Sequence, residues 1–158
     1  MRRAFGRGAI VLVVLLGLAQ LVGVDRTNPP VVSDVPAPLD VKTTLRRACY
    51  DCHSNETAWP WYSQVAPISW LLAYDVGEGR EDLNFSTWQQ YDEKRRRKML
   101  KETVETVNEG EMPPWYYVLM HPDTRLADRD RQALAAWAAE AGGASAEGDH
   151  SGAGNPLN

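Results

Sequence analysis

The residues whose types and spacing carry the most chemistry are Cys49-Tyr50-Asp51-Cys52-His53. They form C-x-x-C-H, two thiols three positions apart with an imidazole directly after the second. At this spacing both thiols can add to the two vinyl groups of one haem, and the imidazole is then held beneath the iron; the pattern is a c-type haem attachment signature. The chain has only these two cysteines, so they cannot belong to a disulfide framework. A thioredoxin-like dithiol expects a βαβ setting, and no alternating strand pattern is present to build one. A structural zinc needs four ligands, and the only histidines are His53, His121 and His150, too scattered to complete a Cys2His2 set locally. The expected cofactor is one covalent haem c, with Cys49 and Cys52 as thioether residues and His53 as proximal iron ligand.

Histidine on one side leaves the opposite iron position to methionine, histidine or no protein group, and methionine raises the reduction potential. Met99 follows a basic helical run and reads as packing, and His150 falls in a Gly/Ser-rich tail. Met112 precedes Pro113 and Pro114, which stiffen a loop and remove amide donors. It is the expected distal ligand, with Met120, His121 or an open position as alternatives. Trp59, Trp61, Trp70, Trp115, Tyr116 and Tyr117 are expected to surround the haem, exclude water and raise its potential.

The elements that must position these residues can be read from periodicity and punctuation. Residues 1–24 combine Arg2, Arg3 and Arg7 with an apolar run over 8–24 broken by Gln20. That is long for a signal-peptide core and short for a comfortable span, and it reads as a transmembrane signal anchor or a signal peptide, with Gly17-Leu18-Ala19 a weak cleavage site. By the positive-inside rule the arginines stay cytoplasmic and the rest is exported to the periplasm. Residues 25–40, with Pro29, Pro30, Pro36 and Pro38, read as an extended linker. The haem domain is expected over 41–141. It comprises a helix over 41–53 ending in the motif and a short helix over 68–76 stopped by Gly77 and Gly79. A longer helix is expected over 86–108, opened by a Ser86/Gln89 capping box, with room for a break near Asp92, and stopped by Gly110. An aromatic loop over 111–123 precedes a last helix over 128–141, with Leu134, Trp137 and Ala138 inward. Residues 142–158 read as a disordered tail. The class is all-α.

Charge bounds the partners. After the three N-terminal arginines the remainder carries 14 basic and 21 acidic residues, a net −7, which disfavours nucleic acid. Redox partner proteins and, through the N-terminal segment, a membrane are the expected contacts. The run Lys94-Arg95-Arg96-Arg97-Lys98 reads as a solvated helix face.

Several further stretches resemble the haem-binding domain family of small exported monohaem c-type cytochromes. They are Thr27-Asn28-Pro29-Pro30, the motif with Ser54-Asn55, Trp59-Pro60-Trp61-Tyr62, Pro67, Ser69-Trp70, Leu83-Asn84-Phe85 and residues 110–122. The similarity covers about residues 25–141. The element order also resembles class I cytochromes c, with a motif helix, a Met-Pro loop and a closing helix. That resemblance implies a small helical domain wrapped around one haem, with Met112 as distal ligand. It also implies a proline carbonyl, Pro67 or secondly Pro60, accepting the free N–H of the proximal imidazole. Two features depart from it: the aromatic insertion over 59–70, and Ala127 where a Ser or Thr cap is usual. The implied function is electron transfer at the outer face of the cytoplasmic membrane, as a carrier rather than an enzyme. The alternatives are an open-iron sensor or peroxidase-like protein, and a haem-bearing structural or maturation module.

Overall fold

The computed structural model describes residues 2–148 and the side chains of residues 6–143. In chain order the helices are α1 (Arg2–Ala19), α2 (Leu39–Ala48), α3 (Tyr50–His53), α4 (Ile68–Asp82), α5 (Glu93–Glu109), α6 (Trp115–Met120) and α7 (Asp128–Gly148). Short 3₁₀ turns lie at Trp61–Gln64, Phe85–Gln90 and Pro122–Thr124, and no strand occurs among the described residues. The all-α expectation therefore holds.

The core follows from helical periodicity. α2 buries Val41, Thr44, Leu45 and Ala48, spaced as one apolar stripe. α5 contributes Met99, Leu100 and Val107, and α7 contributes Leu134, Trp137 and Ala138, so α5 and α7 pack on each other with α2 beside α7. Tyr50 stacks on Phe85 with ring centroids 5.2 Å apart, which ties the motif to this core.

Residues 25–38 are extended, as their prolines dictate, but they are packed onto the domain. Val35 is only 1% exposed, and the Trp137 indole donates to the Pro36 carbonyl at 3.1 Å. Arg80 donates to the Thr27 and Ser54 carbonyls and to Asn28 Oδ1, joining this segment to α4 and to the end of the motif.

Four boundaries differ from the sequence expectation. α4 continues through Gly77 and Gly79 to Asp82, because Gly79 is needed for a close helix contact rather than as a stop. The Ser86/Gln89 box is absent. Asn84 caps the 3₁₀ turn by accepting the Ser86 amide, Ser86 Oγ accepts the Asn55 amide, and Asp92 caps α5 by accepting the Arg95 amide. The proline-bounded aromatic loop contains α6, with Pro114 at its N-cap. α7 runs past Gly142 and Gly143 to Gly148, so the expected tail is helical over 142–148; the rest of it, with His150, lies outside the described residues.

The N-terminal run also requires a correction. Among the described residues no helix is long and apolar enough to cross a membrane. α1 ends at Ala19, so residues 8–19 supply roughly 18 Å of apolar helix at 1.5 Å per residue, against ~30 Å of hydrocarbon. Gln20 is the reason. Its Nε2 donates to the Leu16 carbonyl at 2.9 Å and to the Ala66 carbonyl at 3.1 Å, while its Oε1 accepts the Ala66 amide at 3.0 Å. The side chain closes the helix and hooks it to the domain. Gly110, at φ 78°, ends α5 in the left-handed conformation that glycine adopts without strain, as expected.

Candidate functional site

The helical path breaks at Cys49 (φ −127°, ψ −34°) between α2 and α3. The Cys49 carbonyl still accepts the amides of Cys52 (3.2 Å) and His53 (2.9 Å), so the motif is wound into a single turn. α3 lies against α4 at Gly79, where a Cβ would stand 2.8 Å from the Cys52 carbonyl oxygen. Only glycine permits that approach.

The approach orients the imidazole. His53 Nδ1 lies 2.8 Å from the Gly79 carbonyl and 3.1 Å from the Leu83 carbonyl. Both partners are acceptors, so Nδ1 carries the proton and Nε2 holds the lone pair that a metal requires. Burial lowers the His53 pKa against the opposing pull of the two carbonyls, which keeps the ring neutral. The correction to the sequence reading is that Pro67 does not fill this role. Its carbonyl accepts the amides of Trp70 and Leu71 at the start of α4, and the Pro60 carbonyl accepts the Ser63 amide.

Cys49, Cys52 and His53 line one cavity of about 980 Å³ between α3, α4, α5 and the Met112-Pro113-Pro114 segment. That lies at the upper end of the ~300–1,000 Å³ typical of cofactor sites. Both cysteines are half-buried and unpaired by a disulfide. Burial first, then the neighbouring Cys52, pushes the Cys49 thiol up to about 12; burial, then Asp75 and Asp51, pushes Cys52 up to about 12. At neutral pH both are thiols. The residues present fit a haem: two thiols and an imidazole with a free Nε2 share a cavity of sufficient size.

The other expected residues divide. Met112, Tyr116 and Tyr117 line the cavity, Met112 at its rim with 38% exposure. Met99 also lines it but is part of the core at 5% exposure. Met120 and His121 do not line it. His121 Nδ1 donates to the Tyr117 carbonyl and its Nε2 accepts from the Tyr62 hydroxyl at 3.1 Å, so both nitrogens are occupied. The four tryptophans are not brought to the cavity either. Trp61 and Trp115 are each 76% exposed, Trp70 donates to the Val22 carbonyl, and Trp59 lines a small adjoining cavity with Cys52 and His121. Aromatic composition gave no information about facing.

Asp51, Asp75, Lys94, Arg95 and Lys98 line the cavity without a sequence signal for this site. Tyr117 donates to Asp51 Oδ2 at 2.6 Å and Tyr116 to Asp75 Oδ2 at 3.1 Å, so two tyrosine–carboxylate pairs flank the cavity. Lys94, Arg95 and Lys98, expected as a solvated face, also line it. Helical spacing on α5 could have placed Lys94 and Lys98 on one side, but nothing in the sequence says which side meets the motif.

A family model described as a haem-binding domain matches residues 14–140. No curated protein and no solved structure matches the chain.

Proposed function

Because the chain belongs to the haem-binding domain family, we propose that its cofactor is a single haem c, joined to Cys49 and Cys52 and ligated by His53 and Met112, and that the protein transfers electrons outside the cytoplasm. The observation that carries this reading is the His53 ring. It is fixed by two main-chain carbonyls, with Nε2 unbonded, in the cavity that both thiols line. When bound, the haem supplies the redox change. His53 and Met112 would hold the iron, the Gly79 and Leu83 carbonyls fix the imidazole tautomer, and Phe85, Val107 and Leu126 line the cavity that would receive the haem and keep water from it. The N-terminal arginines and the apolar residues after them support export and attachment to a membrane.

The optical spectrum tests the ligand set. Haem-loaded protein is expected to be low-spin and slow to bind carbon monoxide. Met112→Ala is expected to become high-spin, to bind carbon monoxide on mixing and to lose potential. Met99→Ala should stay low-spin while costing about 2–5 kcal/mol of stability, as for a buried methionine. A Met112→Ala protein that stays low-spin excludes Met112. An unmodified protein that is already high-spin favours the open-iron sensor or peroxidase reading, in which the Tyr116 and Tyr117 hydroxyls would have to turn from Asp75 and Asp51 to act as distal donors.

Asp75 makes a second measurement informative. Burial raises its carboxyl above the ordinary value, opposed by the hydrogen bond from Tyr116. Reduction adds negative charge to the same cavity, so the reduced protein holds the Asp75 proton more tightly. The potential is therefore expected to fall as pH rises through that titration, by at most about 59 mV per pH unit. Asp75→Asn should flatten the slope in a potentiometric titration.

A further inference from the structure

We propose that the face formed by Trp61, Val65, Ile68, Leu71 and Tyr74 rests on the interfacial layer of a lipid bilayer, in continuity with α1. The inference rests on the reading that the N-terminal segment attaches to a membrane. α1 and the turn after it expose large apolar side chains, continuously from Ile10 at 65% to Leu16 and again at Leu18, Leu21 and Val22. The helix delivers that series to one place on the domain. Gln20 pairs with both backbone groups of Ala66, Trp70 donates to the Val22 carbonyl at 3.4 Å, and Arg26 donates to the Ser63 carbonyl at 2.9 Å. All three anchors fall within residues 63–70.

The apolar face surrounds those anchors. Trp61 is 76% exposed and Tyr74 63%, with Val65, Ile68 and Leu71 each above 40%. Ile68, Leu71 and Tyr74 recur every third residue along α4 and so form one stripe. Trp and Tyr are the side chains enriched where an apolar body meets headgroups. An apolar helix too short to cross, joined to an exposed Trp/Tyr/aliphatic face, has the composition of an interfacial attachment. Beyond residue 24 the chain is net −7, so contact of this face with the bilayer is held by apolar burial and not by attraction to anionic headgroups, and is little affected by salt.

The test uses the full-length haem-loaded protein with phosphatidylcholine vesicles, read by flotation and by hydroxyl-radical footprinting. Vesicles are expected to protect Trp61, Leu71 and Tyr74 from oxidation while Leu39, 83% exposed on α2 and outside the face, stays reactive. Trp61→Ser with Leu71→Ser is expected to weaken vesicle binding roughly 100-fold, with the haem spectrum unchanged. Flotation without protection of the face overturns this inference and leaves membrane attachment through α1 standing. Failure to float overturns both. Protection that follows protein concentration and not lipid identifies a second copy of the chain as the occupant and also overturns it.

Discussion

Replacing both Cys49 and Cys52 by alanine is expected to yield protein whose haem passes entirely into acidified butanone, whereas unmodified protein keeps its colour. Each single replacement should leave one thioether and retain the pigment. The reason is geometric. Both sulfurs reach one cavity, and neither has a disulfide partner to occupy it otherwise. The stability consequence is equally large. A covalently held group cannot dissociate, but the double variant must bind haem by mass action. Its stability should then depend on added haem, gaining about 2.7 kcal/mol at a hundredfold excess over Kd. Thermal melts at graded haem concentrations check this. A double variant that still holds its pigment in acid butanone would show that attachment is not through these thiols.

Gly79→Ala is expected to destabilise the protein and disturb the iron environment. Gly77→Ala, two residues away on the same helix, is expected to stabilise it. Alanine gains about 1 kcal/mol over glycine in a helix interior at either position. At Gly77 nothing lies within 4 Å of the added carbon, so the gain stands and Tm should rise by about 2–4 °C. At Gly79 the carbon meets the Cys52 backbone at 2.8 and 3.1 Å, a neighbour that cannot swing aside. Overpacking costs about 1–3 kcal/mol. Separating α3 from α4 also loosens the bond from His53 Nδ1 to the Gly79 carbonyl, worth about 1 kcal/mol. The net expectation is a loss of ~1–3 kcal/mol, read as a lower Tm, with a shifted absorption spectrum. Equal melting of the two variants would mean the close approach is unimportant.

What the sequence revealed and what it hid divide along local and non-local lines. The motif is legible because all its chemistry lies within five consecutive residues. The Met112-Pro113-Pro114 signal is likewise local, and the structure brings Met112 to the cavity. The core faces of α2, α5 and α7 follow from periodicity alone. The Gly77 and Gly79 stop was misread because a glycine needed for close packing has the same letter as one that ends a helix. The proline acceptor for His53 was misplaced for a related reason. Any residue can offer a carbonyl, so sequence carries no mark of Gly79 and Leu83. The end of α1 depends on Gln20 meeting Ala66, 46 residues away, and no local rule announces it. The tryptophans were assigned by type, although exposure depends on which way each element faces.

The acceptors of His53 Nδ1 are both peptide oxygens, and with His53 as the proposed iron ligand that has a consequence for how the metal's electronics can vary. A carboxylate in that position would titrate, and a single base change could remove it. Peptide oxygens do neither. The donor strength of the imidazole would thereby be written into helix position, insensitive to acidity and reached by mutation only through changes that move α3 against α4, as at Gly79, so other adjustments of electron affinity would fall to Met112 or to the surrounding charges.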